Sequence, residues 1–227
     1  MFIKICGITN EEDALLAVAL GADALGFIFA PSPRMVSVNV ARDIIKRLPS
    51  EILTIGVFVN EDPDELVRIV HSVGLGGAQL HGNESVETVL SLRLRLNYLI
   101  KALPADGMSI RSFFRYPVDA LLVDSAQPGS GKAFDWSIIE AEHMPKRIIL
   151  AGGLNSENVR EAITTVRPYG VDVSSGVESA PGKKDPVALR AFISNAKSAF
   201  VTLDRDPLGD SISATSSSPI FNWEEHL

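Results

Sequence analysis

An alternation constrains this chain more than any other feature. Short apolar runs rich in β-branched residues are followed, almost from end to end, by longer segments of helical period. The runs predict strands over 2–5, 24–28, 53–58, 77–80, 99–102, 120–123, 148–150 and 171–173. Between them the periodicity predicts helices over 11–20, 40–48, 63–73, 85–96 and 155–166, and 186–200 closes the set. About eight strand–helix repeats without an intervening β-hairpin signal imply an all-parallel sheet, because parallel neighbours need a crossover segment. Eight strands closing on themselves give an α/β fold, the (β/α)8 TIM barrel, and 227 residues suit one such domain. Six or so would suggest an open doubly wound sheet instead.

The helix starts carry their own signals. Thr9 or Asn10 can cap the first helix, with Glu11, Glu12 and Asp13 placed to meet its positive end. Asp62-Pro63-Asp64-Glu65 sets proline at a first helical position, and Asn155-Ser156-Glu157 opens a later helix. The pattern stops near residue 200. Residues 201–227 hold five serines and five acidic residues against one arginine, which is −4 of the chain's net −7. We therefore divide the chain into a barrel over 1–200 and a flexible acidic, serine-rich tail over 201–227, in which Phe221 and Trp223 read as stray aromatics.

Composition narrows the function classes. A net charge of −7 with no run of Lys or Arg argues against nucleic acid or an anionic membrane as partner. A small phosphate ester stays compatible, because backbone N–H groups bind phosphate without basic side chains. The single cysteine, Cys6, excludes an intramolecular disulfide and any multi-cysteine metal site. No apolar stretch reaches the roughly 18–20 residues that span a bilayer. The N-terminus is too short and too soon polar for a secretory signal and reads as the first strand, so the expected location is cytoplasmic. No His, Asp and Glu cluster has metal spacing, and neither a metal nor a cofactor is expected.

In a parallel barrel alternate strand residues point inward, and active sites form at the strands' C-terminal ends. Polar residues sharing inward parity there are thus the candidates. They are Lys4 and Cys6 on the first strand, Gln79 and His81 on the fourth, Asp124 on the sixth, and Asp172 and Ser174 on the eighth. Four strands aiming polar groups at one volume need a ligand or each other, since unpaired buried polar groups are costly. A buried Lys4–Asp172 pair would be the plainest structural explanation for two of them. After strands seven and eight come Gly152-Gly153 and Ser174-Ser175-Gly176, turns at the usual phosphate position of such barrels.

The stretch from Pro128 to Ala133 looks like a nucleotide P-loop but is not one. Ala126 stands where the first glycine should be, and Ala133 replaces the required Ser or Thr. It reads as a mobile loop after the sixth strand. His71 and His143 fall far from the barrel mouth and His226 falls in the tail, so none is a candidate.

Several segments resemble the phosphoribosylanthranilate isomerase family in order and spacing. They include Lys4-Ile5-Cys6-Gly7-Ile8-Thr9, Ser32-Pro33-Arg34, Gln79-Leu80-His81-Gly82, Ala151-Gly152-Gly153-Leu154 and Asp172-Val173-Ser174-Ser175-Gly176-Val177-Glu178 with Pro181-Gly182-Lys183-Lys184. The resemblance covers about 1–200. It implies a cofactor-free Amadori rearrangement of a phosphosugar, with Cys6 as general base and Asp124 as general acid. It further implies Arg34 on the anthranilate carboxylate, a task that suits a bidentate guanidinium. Lys4, His81 and Asp172 would line the substrate, and Gly152, Gly153, Ser174, Ser175 and Gly176 would take its phosphate. Met35 departs from the family, which often has an aromatic after that arginine.

A base must be a thiolate, and an ordinary thiol is only a few per cent ionised at neutral pH. The expectation is that Lys4 lowers the thiol's pKa. The nearest rival, the aminoaldose isomerase of histidine synthesis, uses two aspartates, against Cys6. A non-catalytic phosphosugar sensor should have lost Cys6, Asp124 or Arg34. The expected assembly is a monomer or simple homodimer.

Overall fold

The computed structural model describes residues 1–106, 115–125, 136 and 147–205. Eight strands pair in sequence order into a closed barrel. They are β1 (Phe2–Cys6), β2 (Ala24–Ile28), β3 (Leu53–Phe58), β4 (Gly77–Leu80), β5 (Leu99–Pro104), β6 (Ala120–Asp124), β7 (Ile148–Leu150) and β8 (Gly170–Val173). Every neighbouring pair is parallel, and β1 closes on β8 with Lys4 opposite Asp172. Four strands match the expected limits, and the others differ by one or two residues at an end.

The period of two along each strand sorts side chains into two cores. Phe2, Ala24, Ile55, Ile100, Ala120, Leu122 and Ile149 fill the barrel's interior. Ile3, Ile5, Leu25, Phe27, Leu121, Val123 and Val171 point outward and pack under the helices.

The described helices are α1 (Glu11–Leu20), α2 (Val38–Ile45), α3 (Pro63–Val73), α4 (Val86–Arg93), α5 (Val159–Val166) and α6 (Pro186–Arg205). Of the two candidate caps, Asn10 is the one used, accepting from the Asp13 amide. Asp62 caps α3 through the amides of Asp64 and Glu65, and the helix buries Leu66, Val67, Ile69, Val70 and Val73 on one stripe. Asn155 does accept the amides of Glu157 and Asn158, but the turn it opens precedes α5, which begins only at Val159.

Two elements differ from the sequence analysis: α6 runs to Arg205, five residues into the segment read as tail, and a hairpin was not expected. Between β8 and α6 lies an antiparallel hairpin, β9 (Glu178–Ala180) with β10 (Lys183–Lys184), outside the barrel sheet. Its signal was the dipeptide Pro181-Gly182, a turn pair between strands too short to show alternation. A 3-10 turn over Ser175–Val177 links it to β8. The expected loop at 128–133, the helix after it, His143 and most of the tail lie outside the described residues. No described helix is long and apolar enough to cross a membrane.

Candidate active site

A cleft of about 290 Å³ opens at the C-terminal ends of the strands. Cys6 from β1, Asp124 from β6, Asp172 from β8, and Gln79 and His81 from β4 and its following loop all line it, as inward parity requires. Arg34, from the loop after β2, forms part of one wall. Lys4 does not reach the cleft. Its side chain is fully buried one layer below, paired with Asp172 at 2.9 Å.

Cys6 is hemmed in from the side of β2. A Cβ on Gly26 would stand 2.8 Å from the thiol Sγ and 3.2 Å from Lys4 Nζ, so only glycine leaves room for both groups. Burial pushes the thiol pKa up, Lys4 pulls it down, Asp172 pushes it up again, and Lys184 pulls it down. The net shift is upward. Lys4 acts in the expected direction, but the expectation of a lowered pKa is overturned: desolvation of a thiolate in a closed barrel outweighs one nearby ammonium that is already shared with a carboxylate. Burial likewise works against the Lys4 charge, yet Asp172 and Cys6 together raise its pKa.

Asp124 sits where β6 ends. Its Oδ1 accepts from the Ser125 amide at 2.7 Å, and its Oδ2 lies 3.2 Å from His81 Nε2. Gln79 Nε2 stands 2.9 Å from His81 Nδ1, so the amide fixes the imidazole that faces the carboxylate. Gly152, in the left-handed region at φ 79°, lets the turn after β7 approach this acid. A Cβ there would come within 2.4 Å of the Ser125 nitrogen and 2.9 Å of Asp124 Oδ1.

Gly152, Gly153, Ser174, Ser175 and Gly176 converge on one end of the cleft. Asn158 braces the first turn, donating to the Gly153 carbonyl at 2.9 Å and accepting from the Asn155 amide. Ser174 Oγ is buried and has no partner among the described residues. A hydroxyl left in that state is a ready donor for an anionic ligand.

The family model for N-(5'-phosphoribosyl)anthranilate (PRA) isomerase matches residues 3–195. The chain belongs to this family. A PRA isomerase of Desulforudis audaxviator is 49% identical over 205 residues, spanning 87% of this chain and 98% of that relative. The crystal structure of the Thermotoga maritima enzyme superposes with a TM-score of 0.82 at 45% identity, covering 87% of this chain and 99% of that one. A PRA isomerase structure in complex with reduced 1-(o-carboxyphenylamino)-1-deoxyribulose 5-phosphate has a TM-score of 0.80 at 43% identity, over 87% and 99% of the two chains. The chain is thus an isomerase of tryptophan biosynthesis that takes an aminoaldose to an aminoketose.

Two residues of this chain had no role in the sequence analysis and lie directly behind the cleft. Glu178 opens β9 and Lys184 ends β10. Lys184 is fully buried, and its Nζ donates to the carbonyls of Cys6 at 2.6 Å and Ser174 at 3.3 Å. It also pairs with Glu178 at 2.9 Å, and Glu178 in turn holds Arg34. Both stand in the motif that carries the resemblance, but their placement depends on the hairpin, which the strand–helix alternation does not reveal. Among the described residues no group of three His, Cys, Asp or Glu could hold a metal ion.

Proposed function

We propose that this chain converts N-(5'-phosphoribosyl)anthranilate into 1-(2-carboxyphenylamino)-1-deoxyribulose 5-phosphate, with Asp124 as general acid and Cys6 as general base. The observation that carries this reading is one cleft holding a thiol, a carboxyl, an arginine and two glycine-containing turns. Asp124 gives its proton to the furanose ring oxygen, the C1–O bond breaks, and the anilino nitrogen's lone pair forms the C1=N bond. The Cys6 thiolate then removes the C2 proton, and the C2–H electrons form a C1=C2 bond as the iminium collapses to an enolamine. Moving the enol proton to C1 gives the aminoketose. One acid and one base suffice, each contributing about 10²–10⁴-fold.

The ends of the substrate do the positioning. The turns at Gly152-Gly153 and Ser174-Ser175-Gly176 take the phosphate, with amides and the Ser174 hydroxyl as donors. Arg34 takes the anthranilate carboxylate. Binding energy from these two remote groups fixes the sugar between acid and base.

The test is turnover of N-(5'-phosphoribosyl)anthranilate, followed as loss of its fluorescence, for the wild type, Cys6→Ala and Asp124→Asn. Turnover by the wild type that falls by about 10²–10⁴-fold in each variant supports both assignments. Activity persisting in either variant removes that residue from the chemistry, and an inert wild type overturns the reading.

A further inference from the structure

We propose that Glu178 is a positioning residue for substrate recognition: it holds the Arg34 guanidinium by one edge so that its outer fork meets the substrate's aromatic carboxylate. The inference deepens the proposed reaction and rests on the assignment of Arg34 to that carboxylate.

The geometry is specific. Arg34 Nε lies 2.9 Å from both oxygens of Glu178, and Nη2 lies 2.8 Å from Oε2. A guanidinium has five N–H groups in a rigid planar fork. Glu178 takes the Nε–Nη2 edge, which leaves Nη1 and the outer N–H of Nη2. Those two point the same way and match a second carboxylate in a bidentate pair. Arg34 lines the cleft, whereas Glu178 does not, so the glutamate acts through the arginine.

Glu178 is itself immobilised. Its side chain is 4% exposed, and Lys184 binds Oε1 while anchored to the backbone of Cys6 and Ser174. The arginine's direction is therefore referenced to the strand that carries the base. Charge points the same way. Arg34, Lys184 and Glu178 together sum to +1, the complement of one substrate carboxylate. Without Glu178 two cations would face each other at the buried edge of the cleft, and the guanidinium would lose its only ion-pair partner among the described residues.

Two non-reactive ligands test this by calorimetric titration. One is the reduced carboxyphenylamino deoxyribulose phosphate. The other is its anilino counterpart, identical except that the carboxylate is missing. Hydrogen bonds to charged groups lead us to expect Glu178→Gln to weaken the carboxylated ligand by about 10- to 100-fold. The anilino ligand should change by less than about twofold, and KM should rise with kcat nearly unchanged. Equal losses on both ligands would mean a purely structural role. Tighter binding of the carboxylated ligand would mean that Glu178 competes with substrate for the arginine. Either result overturns the proposal.

Arg34→Met is run alongside. If that substitution weakens both ligands equally, the carboxylate assignment of Arg34 is itself wrong. If it weakens only the carboxylated ligand while Glu178→Gln weakens both equally, only the positioning role falls. Should Glu178→Gln fail to fold, Glu178→Asp keeps the charge on a shorter stem. It should show the same ligand discrimination at a smaller magnitude, and no discrimination there also refutes the proposal.

Discussion

At the scale of single residues, the base of this site is set by opposing forces that only the folded barrel brings together. Burial raises the Cys6 pKa, and Lys4 is the strongest influence pulling it down. A thiol raised above its ordinary value holds little thiolate at neutral pH, so kcat/KM should climb as pH rises toward the alkaline range. Replacing Lys4 by Met removes the main lowering influence and leaves the Asp172 charge uncompensated, and both effects raise the thiol pKa further. The ascending limb of the pH–rate profile should therefore move to higher pH in Lys4→Met, with activity at neutral pH reduced. An unshifted limb would show that Lys4 serves packing alone. The candidates on this site were legible because barrel parity is an all-or-none property: Lys4, Cys6, Asp124 and Asp172 could only face inward if their neighbours face out. The sign of the Cys6 shift was not legible, because desolvation depends on what closes over the thiol. The same holds for Gly26, whose absent side chain makes the thiol's space without leaving a pattern in the sequence.

At the scale of elements, the strands read well because each is a short, mostly apolar run between helical segments, while the connections that build the site read unevenly. The turn after β7 was recognisable as a phosphate candidate from its paired glycines. Its second task, giving the acid room, shows only in the approach of Gly152 to Asp124 and Ser125. Gly152→Ala would force a Cβ into a left-handed backbone and against the Ser125 amide. We expect it to cost on the order of 1–3 kcal/mol of stability. It should also lower both affinity for inorganic phosphate and kcat, since one turn serves both. A variant that weakens phosphate while leaving kcat intact would separate the two roles and disprove the shared turn. The β9–β10 hairpin escaped the sequence reading for a physical reason. Its strands have three and two residues, too few to establish a period, and its stability comes from tertiary anchors such as the Lys184 amide on Asp13.

At the scale of the whole molecule, the count of eight repeats decided between a closed barrel and an open sheet, and the register of β1 against β8 is the closure that count implies. Where the closed unit ends is a sharper question. The family match stops at residue 195, whereas α6 runs on to Arg205. Burial within α6 continues past the match: Ala196, Ala199 and Phe200 are all in the core beneath the helices. A chain ending after Asn195 would lose those three side chains, and removing a buried phenylalanine alone costs about 3–5 kcal/mol, a large share of a domain's ~5–15 kcal/mol. A chain ending after Arg205 keeps every one of these contacts and discards only 206–227. We expect the longer truncate to match the full chain in Tm and in kcat/KM, and the shorter one to melt far lower or fail to fold. Thermal denaturation and turnover of the two truncates decide it. If the longer truncate also loses stability or activity, the residues beyond 205 belong to the working barrel and the division of the chain near residue 200 is wrong.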